Sequence, residues 1–178
     1  IAAEMSKRDA ITVKALVRVG NIFEDIGKVA AELGAGLIIM GTHGLKGFQH
    51  ITGSYALRVI TNSAVPFIVV QHREIRNGYH KIILPLELSK ETKQKVSMTI
   101  QLAKYFNSKV SVFSPLRTDE FLANTISRNL AFTKKELEKN QIQYDVKIAE
   151  KETGYIKQLL KHAREIDADL ITIINIQE

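Results

Sequence analysis

Cysteine is absent from the 178 residues of this chain. That excludes a disulfide framework, thiol chemistry and a cysteine zinc site. Long hydrophobic runs are also missing. The longest, residues 37–40 (LIIM) and the stretch 65–70 within VPFIVVQ, fall far short of the roughly 18–20 residues that span a bilayer. No basic-then-apolar leader stands at the start, so a cytoplasmic location is expected and no membrane partner. Charge of one sign is nowhere concentrated. The net charge is +6, with +2 of it up to residue 74 and +4 beyond. Lysine pairs such as Lys134-Lys135 alternate with Glu136 and Glu138, the pattern of a solvated helix face. A nucleic-acid surface gathers its charge and interleaves aromatics, so no nucleic-acid partner is expected. What is present is ordinary for a globular protein: 45% apolar and 25% charged residues, enough for one generous domain or one domain and part of another.

The ends are unusual. Residue 1 is Ile1, and residues 1–8 (IAAEMSKR) read as the tail of an amphipathic helix without a capping residue. Residues 169–176 (DLITIINI) close the chain, two residues short of Glu178, on a hydrophobic strand. The chain is expected to be a piece of something longer.

Between the ends, strands and helices alternate. Residues 11–19 (ITVKALVRV) are β-branched and read as a strand. Gly20-Asn21 marks a turn, and Ile22, Ile26, Val29, Ala30 and Leu33 recur at helical spacing until Gly34. Residues 37–40 form a short apolar strand, a helix runs from about Ser54 to Asn62, and a strand runs from Val65 to Gln71. Residues 72–79 (HREIRNGY) read as a linker. The order then restarts: strands at 81–87, 109–113, 144–148 and 170–176, helices at 91–106, 120–139 and 155–164. Unbroken apolar strands alternating with helices specify parallel sheets covered on both faces, an α/β fold of the doubly wound kind.

Residues 32–37 (ELGAGL) align with residues 165–170 (EIDADL) at an offset of 133. In both places a helix ends, turns tightly and feeds a buried strand. Two homologous domains are therefore expected in tandem, residues 1–74 and 80–178, the first without its beginning and the second without its end.

The functional signal lies in residues 40–55, MGTHGLKGFQHITGSY. They leave the C-terminal end of a buried strand, where α/β sheets place ligands. Gly41 and Gly44 allow backbone amides to approach an anion, and Gly53-Ser54 opens a helix whose free amides and dipole favour negative charge. Hydrogen bonds to a charged phosphate are worth about 1.5–3 kcal/mol each. The pattern is neither a Walker A loop nor GxGxxG followed by an acid. By pattern alone two readings stand: a phosphate cradle, or a structural turn in which Ser54 caps its helix.

At these residues the chain resembles the universal stress protein family, whose nucleotide-binding members carry G-x2-G-x9-G-[ST] after the fourth strand. Gly41, Gly44, Gly53 and Ser54 match, with eight residues between Gly44 and Gly53 where nine are usual. The resemblance implies an adenine-nucleotide alpha-hydrolase-like sheet of order 3-2-1-4-5 and a tandem-domain protein. It implies ATP or a related adenine nucleotide in the first domain, with Met40 near the ribose or adenine and Gly41, Gly44, Gly53 and Ser54 around the phosphates. His43, within the loop, can touch a phosphate; a locally bonded or solvated loop histidine is the other reading. The aspartate that ends the family's first strand has Glu87 near its place in the second domain. There the two loop glycines fall on Ile174 and Gln177, so that domain is read as a structural partner that binds no nucleotide.

Catalytic patterns are thin. His43, His50, His72, His80 and His162 show no metal-ligand spacing with a nearby acid, and Ser54 stands in no GxSxG elbow. No metal and no catalytic residue is expected. The implied function is a nucleotide-binding stress or signalling adaptor. The alternative is an interaction module that binds no nucleotide, in which the glycine loop is vestigial and a dimer surface is the function. The strand from Val65 to Gln71 is expected at a sheet edge, pairing with a second copy or with another domain. Residues 11–19 are expected to pair with a strand encoded before Ile1. Without it, the chain is not expected to fold as an isolated monomer with both domains intact.

Overall fold

The computed structural model describes residues 2–41, 53–70, 78–89 and 92–174. The chain divides into two compact units, Ile1–Arg73 and Glu74–Ile176.

The first unit contains α1 (Ala2–Asp9), α2 (Ile22–Glu32), β1 (Ile38–Gly41), α3 (Gly53–Thr61) and β2 (Phe67–Val70). Asn21 caps α2, its side chain accepting from the Phe23 N–H at 3.1 Å. Glu24 and Asp25 in the first turn suit the positive end of the helix dipole. α2 packs against the end of α3 through Gly27, where a Cβ would meet the Ser63 Cβ at 3.0 Å. Asn62 donates to the Phe23 carbonyl at 3.2 Å and the Arg58 guanidinium lies over the Phe23 ring at 4.7 Å. β1 and β2 pair in parallel, Ile38 opposite Phe67 and Gly41 opposite Val70. β2 begins after Pro66, which has no N–H to give a ladder.

Residues 11–19 depart from the strand expected there. They join no ladder among the described residues, and Leu16, Val17 and Val19 stand 59%, 89% and 102% exposed. β-branched composition favours the strand conformation, but a strand needs a partner to take its backbone hydrogen bonds. The segment is held to α1 instead, the Val13 N–H donating to Ser6 Oγ at 2.7 Å.

The second unit contains β3 (Lys81–Pro85), α4 (Thr92–Phe106), β4 (Lys109–Ser114), α5 (Glu120–Lys139), β5 (Tyr144–Ile148), α6 (Tyr155–Glu165) and β6 (Leu170–Ile171). Its sheet is parallel throughout, in the order β5-β4-β3-β6. Successive side chains alternate between faces. Ile82, Leu84, Val110 and Val112 pack with Val96, Ile100 and Ala103 of α4 and Leu137 of α5. Ile83 and Phe113 point the other way and pack with Leu159 of α6 and Ala168. Both faces are covered, which is why these strands read as continuous apolar runs.

Four helices end in one way. The residue closing each turn is left-handed: Gly34 after α2 (φ 62°), Asn107 after α4 (φ 51°), Gln141 after α5 (φ 58°) and Asp167 after α6 (φ 52°). The next N–H returns to the helix, Ala35 to the Ala30 carbonyl and Ala168 to the Ala163 carbonyl, both at 2.8 Å. This is the bond that closes a Schellman turn. The α2 and α6 endings correspond residue for residue at the 133 offset.

Candidate functional site

β1 ends at Met40 and Gly41, and α3 begins at Gly53 and Ser54. The glycine loop therefore leaves the C-terminal end of a parallel strand and returns at a helix N-terminus, the two backbone features that favour an anion. Among the described residues, a Cβ added at Gly41 would meet nothing within 4 Å. His43 and Gly44, with Lys46 and His50, lie outside the described residues.

The corresponding end of the second sheet is filled differently. Glu87, just past β3, takes an ion pair from Lys95 of α4, Nζ to Oε1 2.9 Å. Lys95 Nζ also donates to the Pro85 carbonyl at 2.6 Å. The Lys95 side chain is 2% exposed and that of Glu87 32%. Burial, opposed by the hydrogen bond and charge of Glu87, holds the Lys95 ammonium below its ordinary pKa. The Tyr155 hydroxyl is shared between the carbonyls of Leu86 and Phe113, at 3.0 and 2.9 Å, tying β3 to β4 beyond their last ladder pair. Burial, then the Glu87 charge, push its phenol far above the usual range, so it stays a donor. Asn129 donates to the Glu87 carbonyl at 2.8 Å. Glu87, read from the sequence as a ligand-position carboxylate, is thus engaged from within the chain. Lys95 escaped sequence reasoning because an ordinary helical lysine gives no sign of burial. Ile174, at the offset position of Gly41, is half-buried, and Gln177 lies outside the described residues.

A second cluster, in which Ser111 and His162 are buried and Asp145 is exposed, was equally invisible in the sequence. Ser111 of β4 donates to Asp145 of β5 at 2.6 Å and lies 3.0 Å from His162 Nε2. The Ser111 proton goes to Asp145, so His162 Nε2 is the donor in that contact. Its Nδ1 faces Glu165 at 4.0 Å. Burial alone would raise the Asp145 carboxyl, but Lys109, Ser111 and the His162 charge together pull it below its ordinary value. The outline suggests a Ser-His-acid nucleophile, yet the proton directions are wrong: no base accepts from Ser111 except a stabilised carboxylate. The cluster fastens β5 and α6 to the sheet.

Among the described residues no group of three or more His, Cys, Asp or Glu is placed to hold a metal, and no helix is long and apolar enough to cross a membrane.

With the strand end, the helix start and the parallel ladders in place, the chain can be set beside known proteins. Residues 2–71 match the universal stress protein family. Two curated relatives, universal stress protein G of Shigella flexneri and of Escherichia coli O157:H7, are each 32% identical over 63 residues, 35% of this chain. The chain spans 44% of their length. A universal stress protein structure from Archaeoglobus fulgidus DSM 4304 aligns with 95% of this chain and 60% of its own, at TM-score 0.72 and 20% identity. A functionally unknown protein of Pseudomonas aeruginosa PAO1 aligns with 95% of this chain and 63% of its own, at TM-score 0.62 and 12% identity. At these identities the likeness is one of fold: α/β with parallel sheets, as in the universal stress protein structure.

Proposed function

We propose that the chain is a tandem universal stress protein whose first unit binds an adenine nucleotide, ATP or a relative, and acts as a stress or signalling adaptor in the cytoplasm. The observation that carries this reading is the pairing of Met40-Gly41 at the C-terminal end of β1 with Gly53-Ser54 at the start of α3. Both flank the glycine loop, and the family match spans all of it. In this reading Met40 lies at the ribose or adenine, and Gly41, His43, Gly44, Gly53 and Ser54 surround the phosphates. The second unit is a structural partner. Lys95 supports that role, because it engages from within the chain the Glu87 carboxylate that stands near the place of the family's first-strand aspartate. No residue is assigned to catalysis.

A second reading keeps the family and drops the nucleotide. The spacing of eight residues between Gly44 and Gly53 and the bare outer edge of β2 among the described residues favour an interaction module, paired through Val65 to Gln71.

Isothermal titration of the full chain with ATP separates the two. Binding by the wild type and its loss in Gly53→Val, whose β-branched side chain would occupy the anion's space, are expected. Absence of heat from the wild type, or equal heats from both, overturns the nucleotide reading.

A further inference from the structure

A groove runs between α4 and α5 on the side of both helices turned away from the sheet. The two helices lie side by side and point the same way. Near one end Lys93 Nζ stands 5.6 Å from the centre of the Phe132 ring, and near the other Lys104 Nζ donates to Asn140 Oδ1 at 2.7 Å. Between these ties lies an open volume of about 340 Å³, floored by the buried Val96 and Ile100. Every wall comes from residues 93–140 of the second unit, and all of that stretch is described.

The charges around the groove alternate along it. Lys93 borders one end, Lys104 and Lys139 border the other, and Glu136 stands between them, one turn past Phe132. All three lysines are exposed, and none forms an ion pair among the described residues. Lys104 and Lys139 occupy last turns, where the helix dipole welcomes a cation. Lys93 does not. It stands in the first turn of α4, which holds no acidic residue, at the end where the dipole disfavours a cation. A carboxylate arriving there would satisfy both the ammonium and the helix end.

From this we infer that the α4–α5 groove is a docking site for an acidic amphipathic helix of a partner protein, with carboxylates at both ends of one face and apolar side chains between them. Lys93 and Lys104 lie eleven residues apart on α4, about 16 Å along its axis. A volume of about 340 Å³ drawn out over that length is too slender for a whole helix and admits only its ridge of side chains. In a helix laid alongside, residues eleven apart share one face and the same rise, so two acids at that spacing meet both lysine ends. In an extended strand the same face recurs at about 13 and about 20 Å, matching neither end. Glu136 rejects an acid at the centre, so the order of charges gives specificity as well as attraction. A compact anion would meet the lysines of one end only, with Glu136 opposing it. The inference concerns the second unit alone and stands whether or not the glycine loop binds nucleotide.

The test titrates the nitrogen-15-labelled full chain with an alanine-based helical peptide of about 18 residues. The peptide carries two glutamates eleven positions apart, with leucines four and seven positions after the first. Saturable shifts are expected at the amides of residues 93–104 and 132–140. An exposed ion pair is worth up to about fivefold in affinity. Lys93→Glu should therefore weaken binding about 5-fold and Lys104→Glu with Lys139→Glu about 10-fold or more. Lys135→Glu makes the same change of charge outside the groove and should weaken it less than about 2-fold. A peptide with glutamates and leucines exchanged has the same composition and should bind at least about 5-fold more weakly, as should one with glutamines for glutamates. Absence of saturable shifts at these residues overturns the inference, as does equal affinity for the exchanged or glutamine peptide, or equal weakening by Lys135→Glu. Displacement of the peptide by inorganic phosphate beyond that by chloride at equal ionic strength also overturns it, because the site then takes a compact anion. The same shifts without peptide, as the chain is concentrated, overturn it in favour of a second copy.

Discussion

The Lys95–Glu87 pair gives an asymmetry that can be measured. The two side chains differ sharply in their access to water, 2% against 32% exposed. Removing one partner of a buried pair costs what it takes to leave the other charge unpaired, about 3–5 kcal/mol when that charge is fully buried. In Glu87→Gln the charge left behind is the Lys95 ammonium, which keeps the Pro85 carbonyl but reaches almost no solvent. The cost should fall near that range, about 3 kcal/mol at neutral pH. In Lys95→Met the charge left behind is the Glu87 carboxylate, whose side chain is one-third exposed although its Oε2 is buried without a hydrogen-bond partner. What remains is chiefly the Pro85 carbonyl without its donor, about 1–2 kcal/mol. Glu87→Gln should therefore destabilise more than Lys95→Met. The pH dependence sharpens the contrast. The folded-state pKa of Lys95 lies below its unfolded value of about 10.4. Between the two, the unfolded state binds more protons, so stability rises with pH across that window. Loss of the Glu87 charge pushes the folded pKa lower and widens the window downward. The deficit of Glu87→Gln should shrink as pH is raised from about 6 to about 9.5, and that of Lys95→Met should not. Urea unfolding by far-ultraviolet circular dichroism measures both. Tyrosine fluorescence assigns the transition, since Tyr79, Tyr105, Tyr144 and Tyr155 lie in the second unit and Tyr55 in the first. A Lys95→Met cost equal to or above that of Glu87→Gln at neutral pH would refute the reasoning, as would a Glu87→Gln deficit that is flat in pH.

The helix endings predict opposite signs for two substitutions. Gln141→Gly, at φ 58°, should stabilise the second unit by about 0.5–1 kcal/mol, while Gly34→Ala, at φ 62° with open space around it, should destabilise the first by about 1 kcal/mol through backbone strain alone. Denaturant midpoints decide both, and a neutral Gly34→Ala would remove the strain argument. Val69→Lys places a charge in β2, whose outer edge pairs with no strand among the described residues. Sedimentation velocity should show a shift toward monomer or aggregate relative to the wild type, and an unchanged monomer in both would show that this edge is not a self-association surface.

Much of the architecture is local and was legible. The stripe from Ile22 to Leu33, the run of residues 120–139 and the apolar strands at 81 and 109 each carry their own periodicity, and the end of the first of these helices is written in Gly34. The 133 offset was legible for the same reason, because a helix ending is set by a few consecutive residues. The ends of the candidate site, Met40-Gly41 and Gly53-Ser54, were legible as well, since glycine marks close backbone approach and helix entry without help from distant residues. Residues 11–19 show where local reasoning stops. β-branched side chains can favour a strand, but the ladder that makes one is supplied by other residues, so composition could not determine the pairing. The same holds for Lys95 and Glu87, and for Ser111 with Asp145 and His162, which lie 34 and 51 residues from it. Burial, and with it the state of each charge and the direction of each proton, arises only when helix and strand close over them. The amino-acid sequence by itself determined the elements, their order and the glycine loop. Only tertiary structure decided which strands pair and which polar groups are withdrawn from water, because those depend on what lies opposite and not on what lies adjacent.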